Sequence, residues 1–224
     1  MQQLQELCAR IDYTFSDKAL IESALTHRSA PGNNYERMEF LGDSILGFVI
    51  SKELYKRFPQ AEEGQLSRLR ASLVKGETLA KIARSLNVGD YLHMGGGELK
   101  SGGFRRSSIL ADVFEAIIGA IYLDSDIQHA ETFILKYFDE RLASCDPSKA
   151  EKDPKTRLQE LLQAESASLP VYSVINVEGE AHKQHFEVEC YLKERNIRGA
   201  GEGASRRKAE QAAAQKILDK IANE

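Results

Sequence analysis

Glu36-Arg37-Met38-Glu39-Phe40-Leu41-Gly42-Asp43-Ser44 opens a long apolar run that ends near Ile50. Placed at about 100° per residue on a helix, Glu36, Glu39 and Asp43 fall on one face, and Leu46 and Ile50 continue it. The carboxylates therefore share a surface that becomes core. Met38, Phe40, Leu41, Ile45, Phe48 and Val49 fill the rest of the circumference, which predicts a helix buried nearly all round. A buried carboxylate is expensive unless a cation or a strong donor compensates it. The only nearby cation in this stretch, Arg37, lies on the far side. The competing reading is a half-exposed helix whose acids face water.

A second stretch, Ile109 to Leu123, repeats the pattern. Its only charged residues are Asp112 and Glu115, spaced i, i+3 on one face, with Gly119 one turn further on. A glycine there admits a neighbouring helix, as Gly42 and Gly47 are expected to do on the first. Two buried helices with acidic stripes beside small residues pack most simply with the stripes facing. Such a pocket holds Glu36, Glu39, Asp43, Asp112 and Glu115. Oxygen donors without Cys or His select a hard cation, Mg²⁺ or Mn²⁺, and such ions most often handle phosphate oxygens.

Glu36 to Ser44 closely resembles the signature of ribonuclease III, the double-strand-specific endoribonuclease, and Asp112-Val113-Phe114-Glu115-Ala116 resembles its second acidic motif. Thr26-His27-Arg28-Ser29 also matches the pattern. Tyr35 and Met38 stand where Asn and Leu are commoner, and neither is a metal-ligand candidate. The resemblance implies an all-α endonuclease domain followed by an α+β double-stranded RNA-binding domain. It implies a Mg²⁺-dependent endoribonuclease, with Mn²⁺ as substitute, that leaves 5′-phosphate and 3′-hydroxyl ends on ribosomal RNA precursors and structured messengers. Glu39, Asp43, Asp112 and Glu115 are then the metal ligands. Asp43, Glu115, Glu36 and Glu63 are the catalytic set, with Glu36 and Glu63 positioning the scissile strand. On the sequence alone Glu63 is equally a helix-start charge favoured by the dipole.

Composition frames this reading. A chain of 224 residues with 42% hydrophobic content can build a core in each of two domains. Cys8, Cys145 and Cys190 match no metal or disulfide spacing, which suits a reducing cytoplasm. No run approaches the roughly 20 apolar residues of a membrane span, so no membrane partner is expected. A net charge of −4 argues mildly against nucleic acid as a whole-chain statistic, but patches decide binding. Gly95-Gly96-Gly97 to Gly102-Gly103 lacks the phosphate-loop spacing before Lys100-Ser101, so no nucleotide cofactor is expected. It reads either as a mobile loop or as a carrier of Lys100, Arg105 and Arg106 to the RNA backbone. His27 reads as a loop cap or a hydrogen bonder behind the metal ligands rather than a direct catalyst.

The expected boundaries are 1-143 for the helical domain, 144-153 for a linker with turn-forming Asp-Pro steps, and 154-224 for the second domain. Helices are expected over Gln65 to Val74, Thr78 to Leu86 and Tyr122 to Arg141. The second domain reads as a helix over Lys155 to Ala164, strands over Tyr172 to Glu178, Phe186 to Leu192 and Arg198 to Glu202, and a closing helix over Arg206 to Ile221. Ser205 caps that helix, and Arg206, Arg207 and Lys208 crowd its first turn against the macrodipole. A phosphate between helix amides and cations relieves that conflict. The resemblance adds Thr156, Gln159, Glu160 and Gln163, and His182 in the first hairpin loop. Such modules contact two minor grooves and the phosphates between them over about 16 base pairs.

Two rivals remain at this level. A purely RNA-binding descendant need not keep every acid, and a small-nucleotide phosphohydrolase has no use for the second domain. A single acid cluster cuts one strand, so a duplex-specific nuclease is expected to be a two-fold homodimer. Phe40 is then a subunit anchor or, alternatively, part of its own core.

Overall fold

The computed structural model describes residues 2–149, 153–179 and 184–222, and the chain divides into two compact units, Met1–Ala150 and Glu151–Glu224. The first is helical among the described residues: α1 (Gln2–Ile11), α2 (Lys18–Ala24), α3 (Glu36–Arg57), α4 (Glu63–Leu73), α5 (Gly76–Ser85), α6 (Gly96–Lys100), α7 (Ser107–Asp124) and α8 (Ile127–Ala143). Asp17 caps α2 by accepting from the Ala19 amide at 2.9 Å. Asp126 caps α8 by accepting from the His129 amide at 3.0 Å. That cap follows a break at Ser125, so the run expected from Tyr122 onward belongs to two helices. Glu62 and Gln65 form a reciprocal capping box that starts α4 two residues before the expected Gln65.

The unit is built around the crossing of α3 and α7. A Cβ on Gly42 would lie 1.8 Å from the Glu115 carbonyl oxygen, and one on Gly119 would lie 2.3 Å from that of Met38. The helices therefore meet backbone to backbone, as the small residues predict. Gly47 does not share that role, because nothing lies within 4 Å of its would-be Cβ. Leu46, Ile50, Val113, Phe114, Ile117 and Ile118 fill the core around the crossing.

Only part of α3 is covered. Phe40 is 76% exposed, Phe48 58% and Tyr55 73%, and Glu36 and Asp43 are exposed as well. The expected all-round burial is corrected: α7 covers one side of α3, and burial follows the covering helix rather than the apolar count. Phe40 is accordingly not in its own subunit's core. The glycine-rich stretch is also more ordered than a plain loop. It holds α6 and a 3₁₀ turn, Gly103–Arg105, and Glu98 pairs with Arg106 at 2.9 Å across it.

The second unit comprises α9 (Pro154–Ala164), β1 (Val171–Glu178), β2 (His185–Leu192), β3 (Ile197–Gly203) and α10 (Arg206–Ile221). Its sheet is antiparallel in the order β1-β2-β3. Leu158, Leu162, Cys190, Leu192, Ala213, Ala214 and Ile217 form the core. Gly201 lets α10 lie on β3, since a Cβ there would sit 2.1 Å from the Ala213 nitrogen. β1 carries a bulge between Val174 and Asn176, and Val171, Val174, Ile175 and Val177 along it are exposed. No described helix is long and apolar enough to cross a membrane.

Candidate metal centre and nucleic-acid interface

The glycine crossing brings the first two turns of α3 against the middle of α7. Glu39, Asp112 and Glu115 each offer a carboxylate oxygen, and these atoms lie within 4.8 Å of one another. All three side chains are half-buried. Asp43 is exposed and stands outside this group, yet its charge bears on Glu115. Glu36 is exposed and pairs with Arg28 at 3.5 Å. Glu63 does not join the gathered acids. It sits exposed in the first turn of α4, where its carboxylate accepts from the Ser67 hydroxyl at 2.7 Å.

The electrostatics follow from this crowding. Burial, then the charges of Asp43, Glu39 and Asp112, push the Glu115 carboxyl up to about 8. Burial, then Asp112, Glu36 and Asp43, raise Glu39, with Arg28 opposing. Burial raises Asp112 against the pull of the Tyr35 hydroxyl, His27 and Arg28. Sequence reading missed Arg28 as a compensating cation, although it lies in the quoted Thr26-His27-Arg28-Ser29 run. Half-buried carboxylates that repel one another are the donor set a hard dication stabilises, so the residues fit a Mg²⁺ or Mn²⁺ ion.

A stability prediction follows. A carboxyl raised from 4.5 to about 8 contributes stability that is complete below its unfolded value and is lost as pH rises through its folded value. In EDTA the melting temperature should therefore fall between about pH 4.5 and 8, and Glu115→Gln should flatten that fall. A flat profile for the unsubstituted chain in a thermal scan would contradict the crowding.

Glu36, Glu39 and Asp112 line a cleft of about 570 Å³ together with His27, Arg28, Glu98, Arg106 and Ser108. His27 is buried, and its Nδ1 accepts from the Ser29 amide at 3.1 Å and lies 2.7 Å from the Ser29 hydroxyl. These are the bonds of a loop-ordering residue. Arg106 faces the cleft through its pair with Glu98, while Arg105 stacks over Phe104 at 5.0 Å. A second cavity of about 530 Å³, between α1 and α2, contains Glu22 but none of the clustered acids.

In the second unit Ser205 caps α10 through the Lys208 amide at 3.3 Å. Arg206 is not left against the dipole. Its Nε donates to Glu210 at 3.0 Å, and Lys155 of α9 reaches the other Glu210 oxygen at 2.7 Å. The conflict expected between the macrodipole and these cations is thus eased at Arg206 by Glu210 of its own helix. Arg207 and Lys208 are exposed. On α9, Thr156, Gln159, Glu160 and Gln163 are all exposed, and the Thr156 hydroxyl donates to the capping Asp153 at 3.0 Å. His182 lies outside the described residues.

Comparison with known proteins agrees with this division. Residues 17–142 match the family described as Ribonuclease-III-like, and residues 154–221 match the double-stranded RNA binding motif. The chain is 55% identical to "Ribonuclease 3" of Vibrio cholerae, covering 98% of each, and 56% identical to "Ribonuclease 3" of Psychromonas ingrahamii, covering 98% of this chain and 96% of that one. Among solved structures it is similar to the nuclease domain of ribonuclease III from Campylobacter jejuni. That likeness is 42% in sequence, has a TM-score of 0.62, and covers 65% of this chain and 100% of the other. A second structure of that domain, described as flexible in a region involved in dimer formation, is 43% identical with a TM-score of 0.60, covering 61% and 96%.

Proposed function

This chain belongs to the ribonuclease III family, and on that premise we infer which of its residues perform the cleavage. The protein is an endoribonuclease that hydrolyses phosphodiesters in double-stranded RNA. One observation carries the site assignment: three carboxylates from two helices converge within 4.8 Å beside a cleft lined by Arg28 and Arg106. Glu39, Asp112 and Glu115 hold the metal, and Asp43 stands alongside as a further or water-bridged ligand. Mg²⁺ is the ion, with Mn²⁺ as substitute. When bound it supplies a Lewis acid and a water acidic enough to serve as nucleophile near neutral pH. Glu36, tied to Arg28, orients the scissile strand, and the two arginines offset phosphate charge. Glu63 joins the strand-positioning set only when RNA spans α4.

Residues 154-224 supply the grip, separated from the catalytic residues 1-143 by the linker 144-153. Gln159 and Gln163 lie one turn apart on the exposed face of α9, and their amides both donate to and accept from 2′-hydroxyls. Thr156, Glu160 and the His182 loop extend that contact, and Arg207 and Lys208 meet phosphate. Each phosphate neutralised contributes roughly 0.9 to the slope of log K against log salt for a B-form duplex. Changing Arg207 and Lys208 to Ala should therefore flatten the salt dependence of duplex RNA binding by about two units. Arg206→Ala should change it less, because Glu210 already meets that charge. Equal effects of Arg206 and Arg207 in a salt titration would return the Glu210 pair to ornament.

The active assembly is a two-fold homodimer. Phe40, Phe48 and Tyr55 form an exposed aromatic strip along one side of α3, and its burial against a second copy gives two equal sites for two strands. Its place is the cytoplasm, where Cys8, Cys145 and Cys190 remain free thiols. Its substrates are ribosomal RNA precursors and structured messengers. The direct test incubates purified protein with a long RNA duplex and with single-stranded RNA, in Mg²⁺ or EDTA. Short duplexes with 5′-phosphates should form only from the duplex and only in Mg²⁺. Cleavage in EDTA would sink the metal assignment.

A further inference from the structure

Glu210 is a carboxylate that the cleavage chemistry does not use. It is 9% exposed, more buried than any other acid among the described residues, and it lies in the second turn of α10. An acid beside a cationic patch opposes the approach of a phosphate chain, because like charges repel. Glu210 therefore works against grip unless it does something else. Its two oxygens go to two helices. Oε1 accepts from Arg206 Nε at 3.0 Å, one turn back on α10, and Oε2 accepts from Lys155 Nζ at 2.7 Å, in the first turn of α9. The Lys155 side chain is fixed at both ends. Asp153 caps α9 by accepting from the Lys155 amide at 3.0 Å, and the ammonium lies over the Tyr172 ring of β1, 4.4 Å from its centroid. Lys155 adjoins Thr156 in sequence, and Arg206 adjoins Arg207. The ion pair thus joins the helix turns that carry the exposed polar groups of α9 and the exposed cations of α10.

We propose that Glu210 and Lys155 are positioning residues for duplex RNA, their ion pair setting the distance between the α9 face that meets 2′-hydroxyls and the α10 turn that meets phosphate, on the reading of those two surfaces as the grip. The two contacts fall on different parts of one duplex, whose groove and phosphate spacing is fixed, so one separation of the helices lets both form. A charge-assisted bond holds that separation before RNA arrives, and helices ordered in advance lose less freedom on binding. The clamp can be opened without stranding a buried charge. Lys155 and Arg206 side chains are 35% and 64% exposed and can turn to water if the acid is lost, and Glu210 keeps Arg206 if Lys155 is lost.

The test measures binding of the full chain to RNA duplexes across a salt series, in EDTA so that nothing is cut. Lys155→Met keeps the stem, and Glu210→Gln keeps the volume. Each should weaken binding to a long duplex by about 3- to 10-fold, with the slope of log K against log salt unchanged, and the double variant should bind no worse than the weaker single. A duplex of about 8 base pairs is half of the roughly 16 that such a module spans. It admits only one of the two contacts, and on it both variants should match the unsubstituted chain. A loss of fold would instead weaken both duplexes alike, and that result would overturn the proposal. So would binding by Glu210→Gln that is unaltered or tighter, the outcome of charge repulsion alone. A slope lowered by roughly 0.9 in Lys155→Met, the mark of a direct phosphate contact, or losses that multiply in the double variant would overturn it as well. Should Arg207→Ala and Lys208→Ala together leave the slope of the unsubstituted chain unchanged, the reading of these surfaces as the RNA grip falls, whatever Glu210 does. Should one variant unfold the second unit in a thermal scan, the other decides alone.

Discussion

Glu115→Gln should lower duplex cleavage by about 10²- to 10⁴-fold and leave duplex binding intact. The magnitude follows from the several kcal/mol of transition-state charge stabilisation that a bound ion supplies, at 1.36 kcal/mol per tenfold in rate. Gln keeps the volume and one oxygen, so the α3 and α7 backbones need not move. What disappears is one of three converging metal-ligand carboxylates, the one whose ionised form most needs a cation because burial and its neighbours oppose it. The residues proposed to grip RNA lie in the other unit and keep their surface. Single-turnover cleavage and duplex affinity, measured on the same preparation in Mg²⁺, check both halves. Near-normal turnover at ordinary Mg²⁺ would take Glu115 out of the centre.

Gly42→Ala should damage fold and site together, whereas Gly47→Ala, five residues on in the same helix, should stabilise. The added methyl at 42 lands 1.8 Å from a backbone oxygen of Glu115, a contact that no rotamer change relieves. α7 must shift. Overpacking of this kind costs about 1–3 kcal/mol and occasionally more, or roughly 2–4 °C of melting temperature per kcal/mol in a domain of this size. The shift also carries Glu115 and Asp112 away from Glu39, and a displacement of about 1 Å near a reacting centre can cost about 10²-fold in rate. At Gly47 the space is open, so the methyl only lowers chain entropy in the unfolded state, a gain of about 0.5–1 kcal/mol. Melting temperatures of the pair should move in opposite directions, and cleavage should fall only in Gly42→Ala. Similar behaviour of the two variants would refute the crossing point.

The sequence by itself determined whatever depends on neighbours along the chain. The i, i+3 spacing of Asp112 and Glu115 and the stripe of Glu36, Glu39 and Asp43 follow from helical period alone. So do the closing helix from Arg206 to Ile221 and its Ser205 cap, because caps and faces are local. The change from helical to alternating patterning after Pro154 likewise located the second domain's elements.

Only the tertiary structure decided which members of each stripe meet. Glu39 converges with Asp112 and Glu115 while Asp43 and Glu36 face solvent, although all five acids are equivalent on a helical wheel. Phe40 and Phe48 read as core by composition and are exposed, because no described helix covers that side of α3. Arg28 compensates Glu36 across a loop, and Glu210 links Arg206 to Lys155 from a helix 55 positions away in the chain. Periodicity fixes the direction in which a side chain leaves its own helix. Burial, charge and metal-binding capacity depend on what arrives from elsewhere in the chain, and here that was set by the backbone contact between Gly42 and Glu115.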